Sequence, residues 1–144
     1  MLESLDAGTT AALTRLLPQV SSTAAPLKAE RIGKALASPS THIAVAILDG
    51  EVVGMALLCV CTTLKGHFGL VEEVAVDNSA RGNHVGVHLM VTLLEHADTL
   101  GLDFVELTSR PSREAANGLY MSLGFERRET NVYRHRLQLI PRGR

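Results

Sequence analysis

The stretch from Glu72 to Gly86, EEVAVDNSARGNHVG, concentrates residue types and spacings that can do chemistry. A β-rich run ends at Val76, a polar turn follows, and an apolar helical pattern opens near His84. The first amides of such a helix have no intrahelical partner, and the aligned peptide dipoles put partial positive charge there. Gly82 and Gly86 let ligand oxygens approach the backbone, and Arg81 adds a full charge. Arg81, Gly82, Asn83, His84, Val85 and Gly86 therefore make a candidate cradle for a phosphate or diphosphate. A plain glycine-containing strand-to-helix turn would read the same way. The Gly-x4-Gly-Lys-Ser/Thr sequence of a P-loop is absent, and no Gly-x-Gly-x-x-Gly follows the strand, so neither common nucleotide fingerprint applies. His84 and His88 at i, i+4 lack a third metal ligand, so no metal is assigned.

The elements that must position this loop follow from periodicity. TTAALTRLLPQV reads as a short helix bent near Pro18, and LKAERIGKALASP as a second, with Ala29, Ile32 and Leu36 inward and Lys28, Arg31 and Lys34 outward. HIAVAIL and VVGMALLCVCTTL read as strands joined at Asp49-Gly50, a strong hairpin signal. KGHFG turns the chain into the strand LVEEVAV. Gly86, Leu89, Met90, Leu93, Leu94, Ala97 and Leu100 then form one apolar helical stripe ended by Gly101. DFVELTS predicts a strand, SREAANGLYMSLGF a helix capped by Ser112, and TNVYRHRLQL a closing strand. The expectation is a single α/β (α+β) domain over residues 1–144: a mixed, mostly antiparallel sheet of six to seven strands wrapped by about four helices.

Bulk properties narrow the function classes. The 144 residues are 46% hydrophobic and 20% charged, which suits one folded globule. A net charge of −1 and 3% aromatic residues supply neither the field nor the stacking platforms for nucleic acid. No apolar run reaches membrane-spanning length and the start lacks a signal-peptide pattern, so neither nucleic acid nor membrane is expected as a partner and the cytoplasm is the expected compartment. Cys59 and Cys61 are too close in sequence for an easy disulfide and read as reduced core or pocket-wall residues. Six arginines against Glu129 between Arg127 and Arg144 read as a solvated tail or as part of an anion-binding patch.

Taken with their order, three segments resemble the GNAT acyltransferases. The loop RGNHVG resembles that family's Gln/Arg-x-x-Gly-x-Gly/Ala signature, with His84 in place of the middle glycine. The strand VEEVAVD precedes it, and NGLYMSLGF resembles the family's late helix. The resemblance covers nearly the whole chain. It implies acetyl-coenzyme A as cosubstrate, with its pyrophosphate on the loop amides and its pantetheine along the backbone of Val74, Ala75 and Val76, where the strand splays from its neighbour. Histidine tolerates unusual backbone angles better than branched residues, so His84 is expected to point outward while its amide serves the loop.

The reaction so implied, amine attack on a thioester, needs a base, oxyanion stabilisation and an acid for the leaving thiolate. By resemblance Tyr120 is the acid, and Asn117, one turn earlier, is a coenzyme contact; the alternatives are a core tyrosine and an exposed polar residue. Glu72 and Glu73 are neighbours on a strand and face opposite ways. Glu72 is preferred as base because it would share a face with Val74 and Val76, unless a bulge exchanges the faces. The acceptor stays open among small-molecule amines, amino acids and peptides, and so does a homodimer. A noncatalytic acyl-coenzyme A-binding or regulatory module is the competing reading.

Overall fold

The structure, a computed structural model, describes residues 1–20 and 27–137. Helix α1, Ala7–Leu16, starts where the Asp6 carboxylate accepts the Thr9 amide at 2.6 Å. Pro18 does not bend it; the chain tightens into a 3-10 turn over Leu17–Gln19. Helix α2, Ala29–Ala37, ends at Ser38, which is extended because Pro39 disfavours the helical region for the residue before it. Ile32 is its buried anchor and Leu36 is partly covered, whereas Ala29, expected inward, is exposed in the first turn.

Three antiparallel strands follow: β1 Thr41–Leu48, β2 Glu51–Thr63 and β3 Gly66–Val76. Asp49 (φ 51°) and Gly50 (φ 82°) both take positive φ, as a two-residue turn matched to strand twist requires. β3 begins at Gly66, earlier than expected, because the turn is only Leu64 and Lys65 and the stacked rings of Phe68 and Phe104 tie this end of the strand down. Helix α3, Val85–Thr99, crosses over to the short strand β4, Val105–Leu107, which pairs parallel to β3. Helix α4 is Glu114–Ser122. Its N-cap is Arg113, with no side-chain hydrogen bond, rather than Ser112. Both α3 and α4 end in the paired 6→1 and 5→2 bonds of a Schellman motif. Leu102 N–H reaches the Ala97 carbonyl and Phe125 N–H the Tyr120 carbonyl, with Gly101 and Gly124 left-handed between them. Leu100, expected in the α3 stripe, lies past the last buried turn and is 36% exposed.

Among the described residues the sheet has four strands in the order β1-β2-β3-β4, not six to seven. DFVELTS supplies only three strand residues. Of the expected closing strand, residues 130–137 are unpaired and exposed, and the rest lies outside the described residues. Alternation alone cannot make a strand without an edge held in register beside it. The sheet separates two cores. Leu58, Val71, Leu89, Met90, Leu93 and Tyr120 pack on the α3/α4 side. Leu13, Leu16, Ile32, Met55 and Ala75 pack on the α1/α2 side.

Candidate active site

The loop after β3 is built as a ligand cradle would be. Asp77 caps a 3-10 turn over Asn78–Ala80 through Ser79, and Arg15 of α1 donates to Asp77 and to the Val52 carbonyl, fixing the loop's start against β2. Gly82 has φ 83° and His84 φ 56°, ψ 19°, so the histidine occupies a left-handed position that favours glycine. Its side chain is exposed and caps nothing. The first intrahelical bond of α3 runs from His88 N–H to the His84 carbonyl at 3.1 Å, leaving the amides of Val85, Gly86 and Val87 ahead of it. Arg81 and Asn83 are exposed beside them. Gly86 also sits against α4, where an added Cβ would lie 3.2 Å from a Leu119 methyl.

β3 and β4 part company just above this loop. Their pairing ends at Val71 and Leu107, while β3 continues to Val76 beside β2 alone. Asp77 N–H donates to the Val53 carbonyl on β2 at 2.7 Å. Alternate amides of a strand point to opposite edges, so those of Val74 and Val76 face the gap and that of Ala75 faces β2. The gap is lined by free backbone donors and acceptors at the height of the α3 N-terminus.

A β-bulge decides where the two glutamates go. Met55 is opposite Ala75 but Leu57 is opposite Glu72, so Glu73 and Val74 together face Ala56. Glu73, at φ 53°, is the inserted residue. The faces therefore exchange. Glu72 lies on the face of Ala75 and the α1/α2 core, whereas Val74 and Val76 pack on the α3/α4 side, contrary to the face-sharing expected of an unbroken strand. Glu72 is exposed and Glu73 half-buried. Burial first, then the charge of Glu72, pushes the Glu73 carboxyl above its ordinary value, and Arg31 on α2 pulls it partly back. Arg31 is a residue that the sequence reading left among the outward charges. Its only signal was the Lys28, Arg31, Lys34 spacing. Cys59, on the same face as Glu72, is a free thiol pushed up mainly by burial, then by Glu72, and so is held neutral.

Tyr120 lies on α4, 6% exposed, in the core that Val74, Val76 and Val85 join, with its ring edge-on to Phe125 at 5.9 Å between centroids. Burial raises its phenol, opposed by Arg113, so the hydroxyl holds its proton at neutral pH. Among the described residues that hydroxyl makes no hydrogen bond. Asn117 has a task that neither sequence reading foresaw: its amide nitrogen donates to the Arg110 carbonyl at 3.0 Å and holds the β4–α4 loop. Thus Val74, Val76, the α3 N-terminus and Tyr120 are brought together on one side of the sheet, Glu72 and Glu73 come under α2 on the other, and Asn117 is set apart on the loop.

Known proteins match this architecture. The model of the acetyltransferase (GNAT) family matches residues 11–125. Aminoalkylphosphonate N-acetyltransferase of Salmonella typhimurium is 30% identical over 93 residues, spanning 63% of this chain and 60% of that relative's length. A solved acetyltransferase of Trypanosoma brucei superposes with a TM-score of 0.72 at 26% identity, over 94% of this chain and 96% of that one. An aminoglycoside acetyltransferase from an uncultured soil metagenomic sample does so with a TM-score of 0.78 at 19% identity, over 90% and 88%.

Proposed function

The chain belongs to the GNAT family of acetyltransferases, and from that premise we propose that it moves an acetyl group from acetyl-coenzyme A to the amine of a small molecule. The observation that carries this reading is the gap between β3 and β4 over a helix N-terminus with unpaired amides. The loop amides of Gly82 to Gly86, with Arg81, hold the diphosphate, and the backbone of Val74 and Val76 pairs with the pantetheine arm. Glu73 rather than Glu72 is the base, directly or through water: its half-buried carboxylate is the more basic of the two and faces α2. The freed amine attacks the thioester carbonyl, backbone donors on the splayed edge of β3 stabilise the oxyanion, and the carbon–sulfur bond breaks. Tyr120 gives its phenolic proton to the departing thiolate and recovers it from solvent. A small-molecule amine is favoured as acceptor because the relative from Salmonella acts on one by name.

The test is release of the coenzyme thiol from acetyl-coenzyme A with and without an amine panel. Amine-dependent release supports the reading. Binding of acetyl-coenzyme A, seen as a raised melting temperature, with no amine-dependent release would make the chain a binding module.

A further inference from the structure

The face of the sheet beneath α2 carries a charge arrangement that acetyl transfer alone does not need. Ile32, 4% exposed, seats α2 on Met55 and Ala75. Its neighbour Arg31 is exposed, and Glu72 follows Ala75 on the same sheet face, with the inserted Glu73 between them. Lys34 on the same helix is neutralised by Glu30 at 2.7 Å. Arg31 has no ion pair among the described residues, yet its charge reaches Glu73. A guanidinium close enough to attract a half-buried carboxylate, but not bonded to it, leaves room between two opposite charges. A purely cationic amine entering there would find its partner in Glu73 but meet repulsion from Arg31. A zwitterion would satisfy both charges at once.

We propose that the acceptor is an amine that also bears an anionic group, a carboxylate, phosphonate or phosphate, and that Arg31 binds this group while Glu73 receives the ammonium. This rests on the acetyl-transfer reading above and makes Arg31 the residue that selects the acceptor. Guanidinium offers two parallel N–H donors to a planar or tetrahedral oxyanion, which a lysine point charge does not reproduce.

Three amines of matched length separate the cases: 2-aminoethylphosphonate, β-alanine and propylamine. The expected kcat/KM for one or both anionic amines exceeds that for propylamine by about 10-fold or more, the range of a charged hydrogen bond. Which anion leads distinguishes carboxylate from phosphonate. Arg31→Gln should collapse that ratio towards one without changing the melting temperature or the KM for acetyl-coenzyme A, and Arg31→Lys should recover part of it. A wild-type protein that prefers propylamine, or a ratio that survives Arg31→Gln, overturns the proposal while leaving acetyl transfer intact. Calorimetric titration of 2-aminoethylphosphonate and β-alanine into the protein saturated with coenzyme A reads the subsite without turnover. Arg31-dependent binding without transfer would sustain the subsite and remove the reaction; no binding of either would remove the subsite.

Discussion

Replacing His84 by glycine should leave the protein as stable or slightly more stable, and should leave coenzyme binding intact. His84 sits at φ 56°, ψ 19° with its ring exposed and uninvolved in capping. A left-handed conformation costs a residue with a Cβ roughly 1–2 kcal/mol, and histidine lies at the lower end because it visits this region more often than most. Glycine removes that cost but loses about 0.5–1 kcal/mol through its freer unfolded chain. The difference is a gain of about 0–1 kcal/mol, or at most roughly 4 °C in melting temperature for a chain of this size. His84→Val should do the opposite and lower the melting temperature by several degrees, since a branched Cβ fits this region worst. Calorimetric melting with and without acetyl-coenzyme A measures both effects. Affinity should stay within about threefold of the parent for His84→Gly, under 1 kcal/mol, because the proposed contact is the amide. A loss of tenfold or more with an unchanged melting temperature would show the imidazole itself to be a ligand and would refute the reasoning.

Gly86→Glu should abolish the thermal stabilisation by acetyl-coenzyme A, because it sets a negative charge at the amides of the α3 N-terminus. Gly86→Ala, which asks only a few tenths of an ångström of Leu119, should keep most of it, and equal loss in both would point to packing instead. Tyr120→Phe keeps the ring against Phe125 and should melt normally and bind acetyl-coenzyme A, while turnover falls on the order of 10²-fold; undiminished turnover withdraws its role as acid. The His42 and His96 rings meet at 3.0 Å between Nδ1 and Nε2, and burial, then the His96 charge, lowers His42. A depressed folded value means stability is present above about pH 6.5, the ordinary histidine value, and is lost as pH falls through the folded value. Urea midpoints from pH 8 to pH 5 should therefore decline less steeply in His42→Gln than in the parent, and an identical decline would assign it elsewhere.

Signals confined to a few neighbouring residues translated well from sequence to structure. Asp49-Gly50 demanded a tight turn and formed one, and Gly101 and Gly124 ended their helices as left-handed residues must. His84 kept the backbone role of the glycine it replaces. What depended on pairing between distant segments did not translate. Residues 130–137 alternate like a strand but lie unpaired. The faces of Glu72 and Glu73 turn on a single inserted residue opposite Ala56. That register belongs to two strands together, and no pattern within VEEVAV announces it. Arg31 was invisible for the same reason: its meaning comes from the strand beneath α2, not from its own helix.

The most direct measurement of the central claim is identification of the product. The protein is incubated with acetyl-coenzyme A carrying an isotopically labelled acetyl group and a panel of amines, and products are read by mass spectrometry. The account predicts the labelled acetyl group on the nitrogen of at least one small amine, formed with a matching amount of free coenzyme thiol and diminished in Tyr120→Phe. Tight binding of acetyl-coenzyme A with no labelled product from any amine would contradict it.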